Sequence, residues 1–433
     1  MSLFDLRALQ DGVSRREVLA WAAYDFANSG YTTVVLTAVF SAYFVGHVAG
    51  NADWATFLWT FILGVSNAAV MLSLPTIGAR IDARASRKRW LLGATLLCVC
   101  CIVGLYWVGA GHLVLASVLI IVSNYCFSLG ETLCAAYLPE LARPEALGRV
   151  SGWGWSFGYV GGMLTLGLSL AWVGWVQGQG GGAADFVPGT MLITAAVYAV
   201  AALPMFIWVK DRAVPVPQEP CMAIQSFTDW RLAWLRIREF SDFRRFLVVG
   251  FFFYAGVFVV ITITAVYADQ VMQFEPAETM MLFFVVNIAA ALGSFLFGYA
   301  EDRLGHKIAL ALTLLGWIGV VVLAVSTSSR SAFWAAAALA GICMGTSQSA
   351  GRALTAALAP THRLGEFFGL WAFATRCAAI VGPLTYGGIS WLSAGNHRLA
   401  LLGTGVFFVA ALVLMMFVDP ARGMQRAREG GVV

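Results

Sequence analysis

Residues 298–310 read GYAEDRLGHKIAL, and residues 78–89 read GARIDARASRKR. Each stretch has a glycine, three further residues, an aspartate and then a basic cluster. The residues are Gly78 and Asp82 in the first, and Gly298, Asp302, Arg303 and Lys307 in the second. Each follows a long apolar run. A glycine lets two helices approach closely. A carboxylate at the end of such a run can pair with a basic neighbour, and the pair can be released again. Two copies in corresponding places predict a chain built by internal duplication, a frequent plan among transporters.

The apolar runs extend the pattern over the whole sequence. Of 433 residues, 60% are hydrophobic and 12% charged, whereas soluble domains sit nearer half and a quarter. Each run is long enough to cross about 30 Å of hydrocarbon as a helix of roughly 20 residues. Short alternating segments are missing, which argues against a β-barrel. The expected spans are 17–46, 55–79, 90–110, 112–138, 148–177, 189–209, 245–270, 278–300, 307–327, 332–358, 365–393 and 398–418. The fold class is therefore an all-α integral membrane protein, with about twelve transmembrane helices in two pseudo-symmetric six-helix bundles.

Residues 1–210 form the first bundle, 211–244 a cytoplasmic linker and 245–433 the second bundle. The linker carries Pro215, Pro217 and Pro220, then SFTDWRLAWLRIREF at 226–240. Trp230, Trp234 and Ile237 share a helical face there, either of an interfacial helix or of an ordinary connecting one. A second pair of stretches supports the duplication. SLGETLCAAYLPE (128–140) matches SAGRALTAALAPT (349–361), and Gly148/Gly152 match Gly365/Gly369.

Lysine and arginine concentrate in alternate connections, with only Arg330 and Arg398 in the others and Arg376 inside a span. By the positive-inside rule both termini are cytoplasmic. Topology accounts for the basic residues, so no nucleic-acid partner is expected. The N-terminal MSLFDLRALQDGVSRREVLA offers no small-residue cleavage site, and no removable signal is read there. Cys98, Cys100, Cys101, Cys126, Cys134, Cys343 and Cys377 fall in spans without metal-ligand spacing and are read as packing residues.

The Gly-xxx-Asp-Arg-x-Gly-x-Lys pattern at Gly298, Asp302, Arg303, Gly305 and Lys307 resembles the signature loop of the major facilitator superfamily. Four further stretches resemble its vacuole effluxer branch: WAAYDFANSGYTT (21–33), LPELARPEALGRVSGWGWSFGYVGG (138–162), GICMGTSQSAGRAL (341–354) and GEFFGLWAFATRCAAIVGPLTYG (365–387). The resemblance implies alternating access, a cytoplasmic latch at Gly78, Asp82, Gly298, Asp302, Arg303 and Lys307, and a cavity lined by helices 1, 4, 7 and 10. Fungal members of that branch are associated with amino-acid export from the vacuole. The chain departs from the branch at Tyr254-Ala255-Gly256, where an Asn-Asp pair is common, and at Glu131, where a small neutral residue is usual.

An ionisable group inside a bilayer is costly and belongs against protein or in a wet cavity. Asp25, Asn28, Ser29 and Thr32 recur at three- and four-residue spacing and are read as one polar stripe facing the pathway. Asp25 has the local alternative of pairing with Arg15 or Arg16. Glu131 and Arg352 hold corresponding positions in helices 4 and 10, so pseudo-symmetry predicts that they face each other. They would serve as a gate, as a clamp for a zwitterion, or as a static pair. Arg376 needs an anion: Asp25, Glu131 or a substrate carboxylate. Gln348 lies one turn before Arg352. The glycines of GWGWSFGYVGG are read as structural, and Trp153 and Trp155 as packing.

The expected activity is secondary transport of a small polar solute, an amino acid or related carboxylate. Proton coupling is expected because buried carboxylates exist and no phosphate loop does, and export is implied by the resemblance. The alternatives are an exporter of hydrophobic drugs or lipids, a non-transporting sensor with the same fold, and, lowest, a membrane enzyme. No cofactor or metal is expected. The partners are the solute, the proton and membrane lipid, with the protein a monomer. The expected location is a bacterial inner membrane.

Overall fold

The computed structural model describes residues 5–212, 237–274 and 276–429. Among them, twelve long helices lie in the order the apolar runs predict. The first half contains α1 (Arg15–Tyr31), α2 (Ala55–Ala83), α3 (Arg87–Gly104), α4 (Leu113–Ala135), α5 (Leu147–Gly178) and α6 (Ala183–Trp208). The second contains α7 (Ser241–Gln270), α8 (Pro276–Leu304), α9 (His306–Ser326), α10 (Arg330–Leu358), α11 (Leu364–Leu392) and α12 (His397–Met415). A short α13 (Pro420–Glu429) follows.

Eleven of the helical runs are long and apolar enough to cross a membrane. The twelfth, α10, has the length, at 29 residues, but its core-facing side is built of Ala, Gly, Ser and Thr. Small residues lower its hydropathy and let neighbouring backbones come close. Gly345 of α10 meets the Ala290 backbone of α8, and Gly341 meets Val286 and Ala289.

Capping explains several boundaries. Ser14 and Glu17 form a capping box at the start of α1, satisfying amides that no earlier turn can reach. Past Tyr31 the helix widens into π-helical turns at Thr32–Ala38 and Phe44–Val48, so the first span runs on to Val48. The α6 helix starts at Ala183, six residues before its expected start. Asp185 accepts from the Gly182 amide at 2.8 Å and caps it there, and Pro188 is carried inside the helix. The α7 helix begins at Ser241, ahead of the expected 245. The expected linker helix, apart from its last residues, lies outside the described residues.

Within the first half α1 packs on α5 and α6, and α3 on α4 and α6. Within the second α7 packs on α11 and α12, and α9 on α10 and α12. The halves meet where α2 crosses α11 and where α5 crosses α8 and α10. The duplication extends to the closure of each half. In the first, Glu17 at the start of α1 accepts from the Lys210 amide at 3.1 Å and pairs with Arg212 at 3.0 Å. In the second, Asp242 at the start of α7 accepts from the Asp419 amide at 3.1 Å and pairs with Arg422 at 2.6 Å. An acid in the first turn of the first helix thus holds the chain leaving the sixth, at the positive end of a helix dipole. Lys88 and Lys307 make the matching contact one connection away. Lys88 donates to the Val209 carbonyl at 2.6 Å, and Lys307 to those of Met416 and Val418 at 3.0 and 2.7 Å. This end of the molecule carries most of the arginines and is called the basic side below.

Candidate functional site

The two duplicated loops join the halves at the basic side. Asp302, at the end of α8, accepts from the Gly148 and Arg149 amides at 2.9 and 3.3 Å and from Arg149 Nε at 2.7 Å. Asp82, at the end of α2, accepts from the Gly365 and Glu366 amides at 3.0 and 2.9 Å. Each aspartate therefore caps the first turn of a helix in the opposite half, α5 or α11. A carboxylate there meets orphan amides and the positive helix end together. The glycines make this approach possible. A Cβ on Gly298 would lie 2.7 Å from the Gly148 carbonyl oxygen, and one on Gly78 would overlap the Gly365 peptide.

Gly78, Asp82, Gly298 and Asp302 thus meet across the halves. Arg303 and Lys307 do not take part in that contact. Arg303 is exposed, and Lys307 serves α12 within its own half. The base that Asp302 uses is Arg149, from across the interface, and Asp82 has the buried Arg87 at 3.5 Å. The pairing missed in the sequence had a signal. Helices 5 and 11 open at Gly148-Arg149 and Gly365-Glu366, corresponding positions with opposite charge.

Deeper in the molecule two ion pairs join the halves. Arg352 of α10 holds Asp25 of α1 in a two-pronged contact, with Nη1 to Oδ2 at 2.5 Å and Nη2 to Oδ1 at 3.1 Å. The guanidinium also lies over the rings of Trp155 and Trp21, at 4.8 and 5.3 Å. Such stacking favours a delocalised cation that is poorly hydrated. Both charged side chains are almost fully buried, at 5–6% exposure. Arg376 of α11 donates to Ser128 Oγ at 3.0 Å and to Glu131 Oε2 of α4 at 3.3 Å. This second pair stays open, with Glu131 33% and Arg376 19% exposed.

The expected facing pair Glu131–Arg352 is corrected by this arrangement. Arg352 turns to Asp25, and Arg376 takes Glu131, one of the three anions named for it. The local alternative for Asp25 does not occur. The α1 stripe also divides. Asn28 turns into the first half, where it accepts from the Tyr198 hydroxyl at 2.5 Å with its amide nitrogen buried and unpaired. Ser29 packs against Gly158 of α5, and the Thr32 hydroxyl returns to the Ser29 carbonyl. Gln348 accepts from the Tyr254 hydroxyl at 3.1 Å, so the position that departs from the Asn-Asp pattern supplies a donor.

The glycines of α5 act as the structural reading expects. A Cβ on Gly154 would lie 2.6 Å from Asp25 Oδ2 and 2.8 Å from the Trp21 ring. Trp21 is anchored in turn by its indole nitrogen, which donates to the Cys134 carbonyl of α4 at 2.8 Å. Trp155 was missed as a site residue, because its proximity to Arg352 depends on how α5 and α10 cross. The seven described cysteines are free thiols, and no metal-holding group of His, Cys, Asp and Glu occurs among the described residues.

Among the described residues, a series of side-chain contacts joins the halves from the basic side inwards. They run from Asp82 and Asp302 through Ser151–Ser349, at 2.9 Å, and Trp153–Tyr299, at 3.2 Å, to the two ion pairs. Two pseudo-symmetric six-helix halves, hydrogen-bonded together at one end and carrying charges between them, define a transporter of the major facilitator superfamily.

The chain belongs to the vacuole effluxer Atg22-like family, whose model matches residues 45–428. It is 26% identical over 410 residues to an uncharacterized MFS-type transporter of Bacillus subtilis, covering 92% of this chain and 94% of that one. It is 23% identical over 308 residues to autophagy-related protein 22-1 of Penicillium rubens, covering 64% of this chain and 50% of the relative. Among solved structures it is similar in fold to the human organic anion transporter MFSD10, with a TM-score of 0.74, 16% identity and coverage of 93% and 99%. A bacterial homologue of the iron transporter ferroportin in an outward-facing state gives a TM-score of 0.70 at 15% identity, with coverage of 93% and 99%.

Proposed function

We propose that this protein is a secondary transporter of a small zwitterion, an amino acid or close relative, with Glu131 and Arg376 as its binding pair. The carrying observation is the contrast in exposure between the two ion pairs. The buried Asp25–Arg352 pair is suited to holding the halves together, and the open Glu131–Arg376 pair is reachable by a solute. A zwitterion gives its carboxylate to Arg376 and its ammonium to Glu131, so the exchange of partners leaves every charge balanced. A simple anion would take Arg376 alone and strand Glu131, and a proton on Glu131 would then restore the balance. That is a physical route to proton coupling.

The basic side is the cytoplasmic side in this reading, from the asymmetry of the positive charges, and the membrane is a bacterial inner membrane. The conformation sealed at that side is the one open outwards. Export is favoured by the description of the family, vacuole effluxer Atg22 like. A carrier for hydrophobic drugs or lipids would favour a dry, uncharged cavity, and the central charges weigh against it.

The test is exchange of a labelled amino-acid mixture by the protein in liposomes, with and without a pH gradient. Saturable flux that is lost in Arg376→Gln, with folding retained, supports the reading. Equal flux in the variant removes Arg376 from the site. Absence of flux from folded wild-type protein removes amino acids as the substrate class.

A further inference from the structure

The run Ser86-Arg87-Lys88-Arg89 at the start of α3 divides its three cations. Arg87 turns inward and is buried, paired with Glu140 at 2.6 Å and Asp82 at 3.5 Å. Lys88 reaches back to the Val209 carbonyl at the end of α6. Arg89 turns outward and is exposed, as is Arg84 across the turn that Ala85 makes with a left-handed φ of 45°. No ion pair of 4 Å or less holds Arg84 or Arg89 among the described residues.

Between these groups lies a cleft of about 460 Å³, lined by Arg84, Ser86, Lys88, Arg89, Leu92 and Phe206, with Asp211 at its edge accepting from the Lys88 amide. Below the basic rim the wall turns apolar and faces outward. Leu92 is 41% exposed and Trp90 beside it 44%. A basic rim over a lipid-facing apolar wall, on the basic side of a membrane protein, matches an amphiphile with a negative head.

The corresponding place in the second half is built differently. There His306 is bonded to Glu301, and Lys307 makes the carbonyl contact that Lys88 makes here but is followed by Ile308 where Lys88 is followed by Arg89. The cleft is separate from the central ion pairs.

We propose that this cleft binds the phosphate head of an anionic phospholipid, with Arg84 and Arg89 on the phosphate and the acyl chains along Trp90 and Leu92. A lipid held there braces α3 against α6 beside the latch aspartate Asp82.

Native mass spectrometry of the intact purified protein, titrated with phosphatidylglycerol or phosphatidylcholine, tests this. Tight uptake of one phosphatidylglycerol is expected. Each arginine removed should weaken it about fivefold, so Arg84→Gln with Arg89→Gln should weaken it about 25-fold. The control Arg15→Gln with Arg16→Gln, exposed on the same side outside the cleft, should leave it unchanged. Inorganic phosphate at millimolar concentration separates the sources. Weak competition supports a lipid, whereas phosphate that displaces the lipid completely at equal concentration overturns it in favour of a free anion. Equal uptake of both lipids, or equal loss in the control, overturns the site.

Discussion

Asp25→Asn removes one half of a deeply buried charge pair between the halves and leaves Arg352 without its carboxylate. Both side chains are 5–6% exposed, and Arg352 has two contacts to Asp25 and two indole rings around it. Losing one partner of such a pair costs about 3–5 kcal/mol. The pair spans the halves, so it belongs to the conformation sealed at the basic side. If most of its contribution is lost when the halves rock apart, the substitution moves the equilibrium by about 10²- to 10³-fold towards the state open at that side. The assay is alkylation of a cysteine at Ser349, a buried position that meets Gly148 across the seal, in a background with its native cysteines replaced. Labelling by a membrane-impermeant maleimide from the basic side should rise from slow to near complete in Asp25→Asn. The exchange Asp25→Arg with Arg352→Asp should recover part of the protection. Unchanged labelling in a folded Asp25→Asn protein would refute the assignment of the pair as a conformational lock.

Four further outcomes follow from the same geometry. Arg376→Gln should abolish transport while shifting the melting temperature by only a few degrees in a fluorescence melt, since its pair is partly solvated and worth little to stability. Gly298→Val should place a branched side chain on the Gly148 backbone, prevent sealing of the basic side, and raise Ser349→Cys labelling without loss of the folded protein. Gly154→Val should press on Asp25 and Trp21 and lower transport more than Gly167→Val on the same helix, where no neighbour lies within 4 Å. Asp242→Asn should weaken the hold on Arg422 and the Asp419 amide, which protease cleavage after the α13 arginines would detect as faster nicking.

Much of the fold was legible because a bilayer imposes a simple rule. Helices of sufficient apolar length span it, and their charges sort by side. The misplaced boundaries are instructive. The α6 start was hidden by Pro188, which reads as a helix boundary although the cap is made earlier by Asp185. The α10 helix is less apolar than the other spans because its surface is matched to protein on several sides. The corresponding positions of Asp82 and Asp302 were legible from their duplication. Their partners were not, since Arg149 is far from Asp302 in sequence and is joined to it only by the crossing of α5 and α8.

The central site shows where the limit falls. Sequence alone determined that Asp25, Glu131, Arg352 and Arg376 lie inside spans and need partners, because an unpaired charge in hydrocarbon is too costly to keep. Helical periodicity orders side chains around one axis and carries no information about how that axis is rotated against its neighbours. Only the tertiary structure decided that Arg352 turns to Asp25 between two tryptophans, that Glu131 turns to Arg376, and that Asn28 leaves the pathway for Tyr198. The deciding terms are the close approaches at Gly154 and Gly158 of α5, which set the rotation and depth of α1.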